Sequence, residues 1–135
     1  VNFTIHWKII NYANDLTDLT ISSFLPGGVN WTGMVAGNYG ESPPTYNERT
    51  GEVSWQIKNL PATTGIVLPA REAIFQIAVT PSLNQIGNYI KILEETKLTA
   101  KDSFTGEEIN LTFPSIDSRL KDDPTIKEDE GRVRP

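Results

Sequence analysis

The chain has 135 residues, a formal net charge of −5, 38% apolar and 21% charged residues, and no cysteine. That length and composition suit one soluble domain able to bury a core. They exclude disulfides, thiolate metal sites and a cysteine nucleophile, and the acidic balance speaks against phosphate-neutralising nucleic-acid binders and against docking on anionic lipid.

The dominant period along the chain is two, the signature of half-buried strands. Phe3, Ile5, Trp7 and Ile9 fall on one face of the first segment, and Thr4, His6 and Lys8 on the other. Asn11 to Asp15 supplies Asn and Asp side chains suited to a turn. Leu19 to Leu25 is the second predicted strand, stopped by Pro26-Gly27-Gly28, and Val29-Asn30-Trp31 is a short third. Gly33 to Pro44 is rich in Gly, Ser, Asn and Pro and is expected to be a loop. A hairpin follows: Pro44 to Asn47, a turn with Gly51 at the position needing positive φ, then Glu52 to Ile57 with Val53, Trp55 and Ile57 facing in.

Leu60 to Pro69 is punctuated by Pro61, Gly65 and Pro69 and is expected to cross between layers. Ala70 to Val79 is the longest clean strand, with Ala73, Phe75, Ile77 and Val79 inward and Pro81 ending it. Ser82 to Asn88 is expected to be a loop. Ile90 to Lys101 carries Ile92, Leu98 and Ala100 on one parity, and Glu94-Glu95 predicts a break or bulge in its middle. Asp102 to Gly106 is a second hairpin turn, and Glu108 to Phe113 closes the set with Ile109, Leu111 and Phe113 inward. Seven or eight short strands with no convincing helix predict an all-β protein: an immunoglobulin-like antiparallel sandwich of two sheets, without a disulfide. Trp7, Trp31 and Trp55 are expected in its core rather than on a carbohydrate platform.

Residues 1–114 are expected to form this sandwich. In residues 115–135 apolar side chains thin out and charges of both signs crowd in, as in a tail or interdomain linker. The opening Val1-Asn2-Phe3, already in strand alternation and lacking an initiator Met, suggests a piece of a longer protein. Any export signal, anchor or further domain is expected outside it. No apolar run approaches the roughly 20 residues of a membrane helix, so direct membrane insertion by this segment is not expected.

Several pieces together resemble a known repeat module. Phe3-Thr4-Ile5-His6-Trp7-Lys8-Ile9-Ile10-Asn11 is similar to its first core strand, and Leu25-Pro26-Gly27-Gly28-Val29 to its Leu-Pro-x-Gly-Val turn. Tyr46 to Trp55 resembles its Thr-Gly hairpin leading into a Trp strand. Ala73 to Ile77 with Pro81-Ser82 resembles its long strand, and Ala100 to Gly106 its last hairpin. The family is the conserved-repeat β-sandwich called domain of unknown function eleven, found in large bacterial and archaeal surface proteins. The resemblance spans about residues 2 to 113. The family usually has one more strand before the first one here; its absence suggests either a cut inside the domain or a departure from the pattern, and a strand truly missing would leave one sheet edge open. The resemblance implies a stalk, spacer or adhesive module at the cell surface or outside the cell, often in tandem, with no catalytic residues to carry over.

The residues themselves add little chemistry. His6, the single histidine, lies on an outward face with no nucleophile motif near it. The carboxylates fall in turns and at strand ends, Glu94-Glu95 and Glu107-Glu108 among them, rather than as a pair across a cleft. Asp15 and Asp18 share one loop region and Asp102 another, without the alternating run of a Ca²⁺ loop, and Asp102 is expected to make an Asx turn. Lys8 and Asn110 lie on the first and last strands, where an autocatalytic crosslink could form, yet both have outward parity. No catalytic, metal or cofactor residue is therefore assigned. The expected role is a non-catalytic spacer, stalk or adhesive module, with neighbouring domains of the same chain as partners and a surface protein or glycan as a further one. A second reading is a specific binding module that uses an exposed edge strand or the Gly33 to Pro44 loop. A pilin-like filament subunit is a third.

Overall fold

The computed structural model describes residues 2–12, 14–80 and 91–117, and the backbone of 125–127. Among them lie eleven strands and no helix. The strands are β1 (Asn2–Ile9), β2 (Leu16–Phe24), β3 (Val29–Ala36), β4 (Thr45–Asn47), β5 (Glu52–Leu60), β6 (Arg71–Val79), β7 (Lys91–Leu93), β8 (Thr96–Asp102), β9 (Glu108–Phe113), β10 (Ile116–Asp117) and β11 (Thr125–Lys127). One sheet has the order β11-β1-β6-β3, the other β4-β5-β2-β8-β9, and β10 and β7 form a small separate pair. Every strand pair is antiparallel except β1 with β11. The two main sheets pack face to face, so the chain is an all-β sandwich.

The alternation read from the sequence decides which side chains fill the space between the sheets. Ile5, Trp7 and Ile9 of β1 and Ala73, Phe75, Ile77 and Val79 of β6 are buried from one side. Leu16, Leu19 and Ile21 of β2, Val53, Trp55 and Ile57 of β5, and Leu98 and Ala100 of β8 are buried from the other. Each large apolar side chain withdrawn from water contributes about 1.5–3 kcal/mol before ordering costs. The Trp7 ring stands edge-on to Phe75, with centroids 4.9 Å apart, the geometry aromatic quadrupoles favour.

The structure departs from the sequence reading at several points. β2 begins at Leu16, three residues before the predicted start. Asp18 takes φ 51, and the register against β8 slips between Thr17 and Thr20. This bulge turns Leu16 and Leu19, which strict alternation would place on opposite faces, into the same core. β3 runs to Ala36, so Gly33 to Ala36, predicted as loop, is strand. A register shift against β6 between Trp31 and Val35 accommodates Gly33 at φ 90.

Trp31, expected in the core, is only partly buried. It stacks on Tyr46 at 5.6 Å and 14°, joining edge strand β3 of one sheet to edge strand β4 of the other. The break at Glu94-Glu95 falls where predicted, between β7 and β8. The Ser23 hydroxyl reaches both freed carbonyls, 2.8 Å from Glu94 O and 3.1 Å from Glu95 O. Backbone pairing also enters the charged segment at β10, where buried Ile116 faces Leu93, and at β11 alongside β1. Pro81, the Ser82 to Asn88 loop and Ile90 lie outside the described residues.

A candidate interaction surface at one end of the sandwich

Strand register brings three loops to the same end. Ile9 pairs with Arg71, while Leu16 pairs with both Leu60 and Asp102. The connections after β1 (residues 10–15), after β5 (61–70) and after β8 (103–107) therefore leave the sheets side by side. The sequence dictates how each closes. Asp102 accepts the N–H groups of Phe104 and Thr105 at 2.8 and 3.0 Å, the expected Asx turn, and Gly106 completes the reversal at φ 79. In the middle loop Thr63 O collects the N–H groups of Ile66, Val67 and Leu68. Gly65, at φ 86, stands so close to Ile10 that a Cβ would come within 2.8 Å of its side chain.

The three loops are hydrogen-bonded to one another. Asn11 is fully buried; its Nδ2 donates to Asn14 O at 3.0 Å and to Leu60 O and Pro61 O at 3.2 Å, and its backbone N–H reaches Thr64 O at 2.9 Å. Asp15 ties in two neighbours: its carboxylate accepts from Ala62 N at 2.8 Å, and its carbonyl accepts from both the backbone N and the hydroxyl of Ser103 at 2.9 Å. Asn14 Nδ2 donates to the Asp102 carboxylate at 3.1 Å. Backbone donation from Thr105, the largest influence, holds the Asp102 carboxyl below its ordinary value; desolvation, the next in size, opposes it, and Phe104 N–H, the Asn14 amide and the Thr105 hydroxyl add to the lowering.

This bonded platform carries most of the large apolar side chains exposed among the described residues. Val67 is 78% exposed and Phe104 85%, with Tyr12, Ile66 and Leu68 also in solvent. Singly exposed apolar residues are ordinary, but gathering them at one end of a domain makes that end a candidate interaction surface. The sequence reading passed over this end. The signal was Ile66-Val67-Leu68, an apolar run inside a segment that Pro61, Gly65 and Pro69 forbid from being a strand.

The other candidates are placed as follows. His6 Nδ1 lies 3.0 Å from Glu72 Oε2 on the outer face of the β1–β6 pair. Glu94 pairs with Lys91 at 3.2 Å, and Glu107 and Glu108 are exposed beside the second hairpin. Asn14 brings the Asp15 loop to Asp102, which the sequence had set apart, yet both carboxylates are engaged by N–H donors, and no metal-holding group of His, Asp or Glu exists among the described residues. Lys8 on β1 and Asn110 on β9 belong to opposite sheets.

Beyond β3, the Gly33 to Pro44 segment is anchored at Asn38 and Tyr39. Asn38 donates to Ala70 O at 2.9 Å and accepts from Glu72 N, and Tyr39 O accepts the Trp55 indole N–H at 3.1 Å. Of the edge strands, β3 is bulged, whereas β9 pairs without a slip along β8 from Glu108 to Phe113. No helix among the described residues is long and apolar enough to cross a membrane. No family model, curated protein or solved structure matches this chain.

Proposed function

We propose that the chain is a non-catalytic structural and adhesive module of a larger surface or secreted protein, an immunoglobulin-like unit that spaces its neighbours and makes contacts through its loop end. The order of motifs resembling the surface repeat family supports the cellular setting. The observation that carries the reading is how the polar side chains at the loop end are used. Asn11, Asp15 and Asp102 bond the loops together instead of converging on a cavity. Such groups supply rigidity, and the exposed apolar residues supply contact. Neighbouring domains and a surface protein or glycan remain the partners of this reading. Screening the purified module against arrays of extracellular proteins and glycans, alongside generic ester, glycoside and peptide substrates, tests it. Saturable binding without turnover is the expected outcome, and turnover abolished by a point substitution would overturn it.

A further inference from the structure

We infer that the loop end is a docking surface for a protein partner that presents an apolar patch bordered by lysine and arginine. This rests on the adhesive part of the reading above and names the partner's chemistry. Two properties of the platform point the same way. The first is pre-organisation. Val67 and Phe104 stand on turns closed by their own hydrogen bonds and joined through Asp15. A surface already ordered loses little conformational entropy when it binds, and aromatic anchors on such surfaces dominate binding energy.

The second property is charge. The three loops, residues 10–15, 61–70 and 103–107, contain Asp15 and Glu107 and no lysine or arginine, and the strand ends that carry them add Asp102 and Glu108 against Lys101 and Arg71, which leaves an excess of acids. Asp15 and Glu107 are exposed. An apolar centre with an acidic border repels a second copy of itself and repels anionic lipid, and it steers a basic-rimmed protein toward it. The stretch Ile66-Val67-Leu68 and Phe104 would meet the partner's apolar patch, while the acids would face its cations.

A phage-displayed random peptide library selected on the immobilised module tests the inference. V67D/F104D alters only exposed side chains, and its melting temperature, expected unchanged, serves as the folding control. Enriched peptides are expected to combine aromatic or aliphatic residues with Lys or Arg. They should bind V67D/F104D at least about tenfold more weakly, bind E107K about three- to tenfold more weakly, and lose affinity as salt is raised. The inference is overturned by peptides that lack basic residues, by peptides indifferent to V67D/F104D, or by the absence of any enriched peptide. It is equally overturned if V67D/F104D abolishes sedimentation with phosphatidylcholine vesicles, glycan-array binding or a concentration-dependent dimer, since the occupant would then be lipid, sugar or a second copy. These failures leave the module reading standing, whereas turnover in the substrate screen would remove that reading itself.

Discussion

Asn11 has no contact with solvent, and its side-chain amide is directed at three carbonyl oxygens on two different loops. Asn11→Ala would leave the buried Leu60 carbonyl short of a donor, so it should cost roughly 1–3 kcal/mol. Urea unfolding should show that loss as a lower midpoint with an unchanged slope. Thr96 presents the opposite case. It is fully buried at the start of β8, and its hydroxyl meets no hydrogen-bond partner among the described residues. Thr96→Val keeps the shape and removes a desolvated polar group, so stability should stay level or rise by up to about 1 kcal/mol; thermal melts of the two proteins decide.

Asp102 links stability to pH. Its carboxyl is lowered by backbone donation in the folded state, so its contribution is present above the ordinary carboxylate value and is lost as pH falls through the lower folded value. Melting temperature measured from about pH 5 down to pH 2 should fall in the parent protein. In Asp102→Asn, which keeps the turn acceptor but not the charge, that decline should be shallower. In Asp102→Ala melting should already be lower at neutral pH.

Elements were legible wherever one parity held. β1, β6 and the first part of β5 could be read from alternation, because their buried side chains recur with period two; in β9 the alternation holds too, although Ile109, Leu111 and Phe113 are only half-buried. What escaped was set by backbone, not by hydropathy. The bulge at Asp18 swaps parity, so Leu16 looks misplaced in a linear reading although it is fully buried. The glycine-rich stretch after Trp31 looked like loop because its side chains bury little, yet its backbone pairs with β6 through Val35 and Ala36. The loop platform depends on bonds between Asn11 and residues 49 and 50 positions away, for which no local pattern exists.

Gly37 marks how tightly β3 leaves the sheet. It has φ 101, and a Cβ there would lie 2.5 Å from Glu72 O. Gly37→Ala should therefore destabilise by about 1–3 kcal/mol through strain at a backbone geometry L-residues avoid. The Glu72 amide and the Trp55 indole N–H, which donate to Asn38 O and Tyr39 O, should exchange faster in Gly37→Ala while the β5 backbone stays protected, because the segment they hold is anchored beside that glycine.

At the scale of the whole molecule, the proposed function and the source of stability are separated in space. The layer between the sheets, centred on Trp7, Trp55 and Phe75, provides stability without a disulfide. In the proposed reading the loop end provides contact, and it can do so at low entropic cost only if its three loops behave as one body. Amide hydrogen exchange on the isolated module measures this directly. The amides of Asn11, Ala62 and Ser103, which donate across loops to Thr64, Asp15 and Asp15 again, are expected to exchange nearly as slowly as those of the neighbouring strands β2 and β6. Exchange of these three at the rate of an open chain, with the strands protected, would contradict the picture of a pre-built contact surface.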